Sequence, residues 1–240
     1  RLQGKDTPEP ILRVFLTGAN PFVLKTEKLI EIASLIHRYL PSVESIGCFA
    51  RITDSVNKTA EELLRLRQAG YNGLTIGVET GDDTALAFMR KGYTSQDILM
   101  QCKRLEQAGI EYGFFYLTGI SGKGRGEAGA KASTEVFNQL HPFLIGPNML
   151  TIYPESDLYQ EIQNGNWEEE GELEKYRELR TLVENLNIST YFAAMGASNA
   201  FQLRGKLPEE KETLLATLNK IISKVSEEDL RRYRDNLPHL

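Results

Sequence analysis

LTIGVETGDDTALAFMRKGYT, residues 74–94, joins a strand to a charged turn. Leu74, Ile76 and Val78 recur at every second position, the period of a strand with one buried face. The run ends on Glu79. Thr80-Gly81, Asp82 and Asp83 follow, then a short apolar helix and Arg90-Lys91-Gly92. A purely structural element has little use for a carboxylate at a strand end with a basic pair one short helix later. A site that holds a small zwitterion does.

The same grammar repeats on either side. Strand-like runs rich in β-branched and aromatic residues occupy 11–18, 44–50, 73–79, 111–119 and 147–153, most of them bounded by Gly, Pro or Asn. Amphipathic helical patterns lie between them. In 25–40, Leu29, Ile32, Ile36 and Leu40 share a face. The pattern at 58–69 opens after Asn57 and stops before Gly70, with acids early and arginines late, which suits the helix dipole. Residues 95–108 carry Ile98, Cys102 and Leu105, and 127–140 form a fourth helix. A strand-to-strand spacing of about thirty to forty residues is that of parallel βα units. Apolar strands of this kind fit a sheet covered on one face by helices.

Asn20, Arg51, Glu79, Thr118 and Tyr153 each stand just after a strand. In a barrel that position is the carboxyl-end rim, and in a doubly wound sheet it is the ligand crevice. Either architecture gathers these residues in one place. From about residue 155 the character changes. EEEGELEKYRELRTLVENL (168–186) is a charged helix, STYFAAMGASNAFQLRGKLP (189–208) a short run, and 209–224 and 226–236 two closing helices. The pattern predicts a helical cap or extension rather than more barrel.

The chain has 240 residues, 41% hydrophobic and 25% charged, with a net charge of −5. That is enough for one large domain or two small ones. No basic stripe is interleaved with aromatics, so nucleic acid is not an expected partner. No apolar run reaches the length of a membrane span and no signal peptide precedes the first strand, so a cytoplasmic location is expected and a membrane is not. The polar, Met-less opening RLQGKDTPEP is expected to be the cut end of a longer chain. Cys48 and Cys102 sit in core-like contexts and make neither a metal site nor a redox pair. His37, His141 and His239 lack metal spacing and triad partners, so none is assigned a catalytic role.

Each rim residue has a functional and a structural use. Gly18 and Ala19 let backbone groups approach a ligand, and a strand-to-helix turn favours similar residues. Arg51 can bind a carboxylate or phosphate, or pair with Glu79 from the adjacent strand. Glu79, an acceptor when ionised, suits the two hydroxyls of a ribose. Lys91 can meet a ligand carboxylate or close a helix end. The Gly- and Lys/Arg-rich segment 119–127 is neither a P-loop nor a dinucleotide fingerprint and is expected to be a mobile surface loop, with a lid as the alternative. Trp167 is expected to pack the cap.

Together these pieces resemble the radical S-adenosylmethionine (SAM) superfamily, in the branch of Elp3-type, MiaB-type and oxygen-independent coproporphyrinogen oxidase-type proteins. VFLTGANP (14–21) is similar to the second-strand motif, usually Gly-Gly-Glu-Pro, whose backbone holds the SAM amino group. IGVETGDD…MRKGYT is similar to the fourth-strand motif IGVESGSD…RKGHT and is the most specific match. YGFFYLTGI (112–120) matches the fifth strand, and LTIYPESDLY (150–159) resembles LTLYPGTPLY after the sixth. The resemblance covers residues 10–160. It implies an α/β fold, a partial TIM-type (β/α) barrel of parallel strands over 1–160, with a C-terminal helical extension over 161–240. It implies a cofactor site of Gly18, Ala19, Asn20, Arg51, Glu79, Lys91, Thr118 and Tyr153, with Glu79 on the ribose and Lys91, with Arg90 beside it, on the methionine carboxylate. It implies that the intact parent uses a [4Fe–4S] cluster and an electron donor to cleave SAM to a 5′-deoxyadenosyl radical. That radical would abstract hydrogen from an unidentified small-molecule substrate.

The sequence departs from the family pattern at three places. The CxxxCxxC loop precedes the second strand in the family and here would lie upstream of Arg1. Cys48 and Cys102 cannot replace it, so no metal ligand is assigned and this chain alone is expected to hold no cluster and perform no radical reaction. Asn20 replaces the usual Glu, and Arg51 stands where some relatives carry an acid. Ser198, Asn199 and Arg204 in the tail are expected either to fold back to the rim and define the substrate or to form a capping loop. Two rival readings stand beside this one: a non-radical barrel lyase or aldolase using Glu79 and Lys91 directly, and a cluster-less SAM- or nucleoside-binding module.

Overall fold

Alternation along the strands sorts their side chains into a covered face and an open one. The computed structural model describes residues 10–237; the opening residues 1–9 and His239 lie outside that range. Seven strands form one sheet in sequence order: β1 (Arg13–Leu16), β2 (Ser45–Arg51), β3 (Tyr71–Glu79), β4 (Tyr112–Thr118), β5 (Leu144–Met149), β6 (Thr190–Ala194) and β7 (Leu203–Leu207). Pairing is parallel from β1 to β6, and β7 returns antiparallel to β6. The sheet does not close, which makes it a partial barrel.

Helices α1 (Thr26–Tyr39), α2 (Ile52–Val56), α3 (Ala60–Gln68), α4 (Asp83–Phe88), α5 (Ser95–Gln107) and α6 (Gly126–Phe137) fall between the first five strands. Local signals start several of them. Thr59 accepts from the Glu62 amide while Glu62 accepts from the Thr59 amide, and Thr94 and Asp97 repeat that box at α5. The helices bury Leu29, Leu63, Leu66, Ile98 and Phe137 against Ile46, Cys48, Leu74, Ile76, Phe114 and Tyr116 of the sheet. The opposite sheet face stays open, so Phe15, Phe115 and Tyr191 remain exposed.

α7 (Asp157–Gln163) and α8 (Glu172–Asn185) precede β6, and α9 (Lys211–Lys224) and α10 (Glu227–Asp235) close the described chain. Here the structure departs from the sequence reading. The run at 189–208 supplies β6 and β7, so the extension adds sheet as well as helix. Its alternation is short, five residues in each strand, and is interrupted by small residues. The fifth strand lies at 144–149, not 147–153, and passes through Pro147. Proline is tolerated there because the β5–β6 ladder has ended at Ile145.

Candidate functional site

The carboxyl ends of β1 to β5 carry the residues singled out by the sequence, in the order Asn20, Arg51, Glu79, Thr118, Tyr153. The two ends of that row are four strand spacings apart, about 19 Å in a flat sheet. Gly18, Ala19 and Asn20 line a shallow hollow of about 410 Å³ beyond β1. Tyr153 lines another of about 490 Å³ beyond β5, shared with Arg231 and Arg234 of α10.

Glu79 is the centre of the row. Its φ of +59° lies in the left-handed region, which costs a non-glycine residue about 1–2 kcal/mol. The β3–β4 register shifts at this point. The carboxylate folds back over Gly77, where a Cβ would lie 3.3 Å from Glu79 Oε1. Lys91 Nζ donates to the same oxygen at 3.2 Å, and Arg51 Nη2 donates to the Lys91 carbonyl at 3.4 Å. Lys91, rather than Arg51, is therefore the ion-pair partner. Arg90 turns away to Asp157 at 3.9 Å, an exposed contact.

The turn after Glu79 is clamped from three sides. The Ser133 hydroxyl on α6 accepts from the Gly81 amide at 2.7 Å and meets the Thr80 hydroxyl at 3.0 Å. Tyr93 donates to the Gly77 and Val78 carbonyls. Asp82 caps α4 through the Thr84 amide and also accepts from Ser121 and Arg125. Asp83 accepts from the amide and hydroxyl of Ser95, at the start of α5. The two aspartates of the opening stretch are thus structural ties. Asp82 was legible as an N-cap residue before a helix, but its ties to Ser121 and Arg125 were not.

Thr118 is fully buried and its hydroxyl has no hydrogen-bond partner among the described residues; Asn20 Oδ1 is likewise buried and orphaned. Such atoms are rare and call for a ligand or a functional reason. Ser198 and Asn199 do fold back to the rim, where they hold β5. Ser198 Oγ accepts from the Met149 amide at 3.0 Å, and Asn199 Nδ2 donates to the Pro147 carbonyl at 3.1 Å. Arg204 lies apart from them on the open face, opposite Ala193 of β7's neighbour β6.

The segment 119–127, expected to be mobile, is pinned. Trp167 packs on Gly122, where a Cβ would lie 2.8 Å from its indole nitrogen. The Lys123 amide donates to the Glu168 carbonyl at 2.9 Å, and the Gly124 amide to the Glu174 carboxylate. Cys48 and Cys102 are buried on β2 and α5. Burial pushes the Cys48 thiol up to about 12 and raises that of Cys102 as well. No group of three or more His, Cys, Asp or Glu among the described residues is placed to hold a metal ion. No described helix is long and apolar enough to cross a membrane.

Comparison with known proteins adds to this geometry. A family model described as the radical SAM superfamily matches residues 3–128, more than half of the chain. The heme chaperone HemW of Bacillus subtilis (strain 168) is 29% identical over 106 residues, which are 44% of this chain and 28% of that protein. Elp3 of the archaeon Methanocaldococcus infernus superposes with a TM-score of 0.59 at 11% identity, over 87% of this chain and 54% of that one. HemN, the coproporphyrinogen III oxidase of Escherichia coli, gives 0.59 at 12% identity, over 72% and 39%. The chain therefore spans little more than a quarter of the curated relative and at most about half of these two structures.

Proposed function

This chain belongs to the radical SAM superfamily, and we propose that its carboxyl-end rim is the S-adenosylmethionine site of a longer radical enzyme. One observation carries the reading. Glu79 is held in a strained backbone conformation at the end of an inner strand, with its carboxylate paired, among the described residues, only to a partly exposed lysine. Strain of this kind persists where the surroundings impose it, and it clusters at ligand sites.

The residues present suit SAM. Glu79 would accept from the two ribose hydroxyls. Lys91 would turn from Glu79 to the methionine carboxylate, with Arg51 beside it. The orphaned Asn20 Oδ1 offers an acceptor for the ammonium group, and Gly18 and Ala19 leave room for the backbone to approach it. Thr118 and Tyr153 would face the nucleoside. Reductively cleaved, the bound cofactor supplies hydrogen-abstracting radical chemistry; the protein supplies binding and orientation.

An iron–sulfur cluster does not fit the residues described. Thiolates are its usual ligands, and both cysteines are buried with raised thiols. The cluster ligands and the electron donor belong to the proposed longer parent. Arg204 on the open face and Asn199, whose Oδ1 is buried without a hydrogen-bond partner among the described residues, are the substrate candidates. The aldolase reading fits less well, because a Schiff-base lysine is activated by desolvation and Lys91 is about a quarter exposed.

A second reading has an observation in its favour. The row Phe15, Phe49 and Phe115 crosses the open face with ring centroids 4.9 and 6.1 Å apart. The curated relative is a heme chaperone, so this face could hold a heme without turning over a substrate. Titration calorimetry of the 240-residue chain separates the two. S-adenosylhomocysteine should bind, and Glu79→Ala should weaken it about tenfold, or about 1.4 kcal/mol. No binding at any concentration reached would overturn the SAM reading. Hemin binding that is lost in Phe115→Ala would then favour the second.

A further inference from the structure

Lys58, between α2 and α3, is 5% exposed. A lysine buried this deeply is ordinarily paired with a carboxylate, yet among the described residues it has no ion-pair partner. The acids whose charge acts on it, Asp54 and Glu62, are committed elsewhere. Asp54 accepts from the Arg51 amide at 2.6 Å and Glu62 from the Thr59 amide at 2.7 Å. The Lys58 ammonium instead donates to the Leu24 carbonyl at 2.9 Å and lies 4.9 Å from the centre of the Phe22 ring. Its backbone is fixed from the other side, where Arg104 of α5 donates to the carbonyls of Ser55 and Lys58.

What Lys58 reaches is the turn after β1. Pro21–Val23 is a short 3-10 helix, closed by the Val23 amide on the Asn20 carbonyl at 3.3 Å and the Leu24 amide on the Pro21 carbonyl at 3.1 Å. Packing anchors it at one side chain: Phe22 is buried, whereas Val23 and Leu24 are exposed. Asn20 stands at the head of this turn, where an asparagine ordinarily caps with its side-chain oxygen. Here it makes no capping bond, and Oδ1 is buried without a hydrogen-bond partner among the described residues. The turn is held at its far end, by Lys58 on Leu24, and its head residue is left uncommitted.

We propose that Lys58 is the positioning residue of the β1 turn, and that its hold on the Leu24 carbonyl keeps Asn20 Oδ1 open for the ammonium group of the bound zwitterion. This rests on the SAM reading for the identity of the ligand, but not for the hold on the turn. Without the Lys58 ammonium, the Leu24 carbonyl loses its side-chain donor, the turn is free to shift, and Asn20 can fold back on the amides of its own turn. The loss then falls on one group of the ligand, the ammonium, and not on the nucleoside.

The test uses the whole 240-residue chain and Lys58→Met, which keeps the apolar stem and removes the donor. Calorimetric titration should show S-adenosylhomocysteine binding about tenfold more weakly to this variant. The deamino analogue, which keeps the carboxylate, should bind both chains equally. Lys58→Arg, which restores a donor, should recover most of the loss. Asn20→Ala should reproduce it, and the double substitution Asn20→Ala/Lys58→Met should bind no more weakly than Asn20→Ala alone. Exchange of the Leu24 amide should accelerate about tenfold in Lys58→Met while the Ile98 amide keeps its rate. An equal loss for both ligands, or a double substitution whose loss is the product of the two single ones, makes Lys58 merely structural and overturns the proposal. Should Lys58→Met fail to fold, NMR of the unmodified chain decides. The Asn20 side-chain amide signals should move with S-adenosylhomocysteine and stay with the analogue, and a slowly exchanging Lys58 ammonium should be visible; absence of either overturns the proposal. If neither ligand binds the unmodified chain while Leu24 exchange responds as expected, the SAM reading is sunk and the hold on the turn stands. If Leu24 exchange does not respond, the proposal is overturned whatever binds.

Discussion

The turn after β3 and the first half of α8 both carry dense charge, and they use it in opposite ways. After β3, Glu79 and Lys91 pair at a quarter exposure each, and Arg90 and Asp157 barely meet at the surface. These charges are kept within reach of solvent and can change partners. Around α8, Lys175, Glu172, Glu178 and Glu170 lie inside the molecule. Arg234 of α10 joins them near Glu172 and ties the last helix to the Ser198 and Leu150 carbonyls. The ion pair of Lys175 with Glu172 has no water to fall back on, so each must keep the other. On the proposed reading, the charge near solvent is the charge offered to a ligand, and the charge behind it is dry.

That contrast can be broken by mutation. Glu178→Ala should have the largest effect, about 2–6 kcal/mol of stability, because it leaves the Tyr116 hydroxyl and the Gly119 amide without an acceptor. Urea unfolding midpoints measure it, and a loss below 1 kcal/mol would mean that water reaches the cluster. Gly81→Ala comes next, at about 1–3 kcal/mol. Its Cβ would lie 2.6 Å from Ser133 Cα, backbone that cannot swing aside. A thermal melt that matches the unsubstituted chain would show that the clamp on the β3 turn is loose.

Stability should also fall with rising pH. Glu170 and Glu178 are raised above the ordinary carboxylate value of 4.5, so the folded chain holds a proton that the unfolded chain has lost. Their contribution is complete below 4.5 and declines as the pH climbs through the raised folded values, by up to about 1.4 kcal/mol per unit for one proton. Unfolding free energies across neutral to alkaline pH follow it, and Glu170→Gln should remove most of the slope. Glu79→Ala should have the smallest effect on stability, within about 1 kcal/mol. A change several times larger would make Glu79 a structural residue after all and weaken its assignment to a ligand.

The legible parts were those governed by local pattern. The β3 stretch announced itself because alternation, a terminal acid and a basic pair all lie within twenty-one consecutive residues. The Asp82 ties to Ser121 and Arg125 span about forty residues of sequence, and the Ser133 clamp on Gly81 spans more. No window sees both ends of such a contact. The burial of α8 was not legible for a different reason. A helix with so many charges usually faces water, and only its packing against α6, α9 and β4 brings them inside, where Lys175 meets Glu169 and Glu172. β6 and β7 escaped notice because five-residue strands with small residues carry little periodic signal.

By itself the sequence determined the βα rhythm, the covered sheet face and the row of polar residues after the strands, because periodicity and turn chemistry are local properties of the chain. It also determined that Glu79 and Lys91 stand one short helix apart. The tertiary structure alone decided that these two meet, that Arg51 does not take the acid, that the tail adds two strands, and that Glu178 is buried behind Thr118 and bonded to the Gly119 amide. Those outcomes depend on which surfaces are removed from water together, and burial belongs to the folded whole rather than to any stretch of sequence.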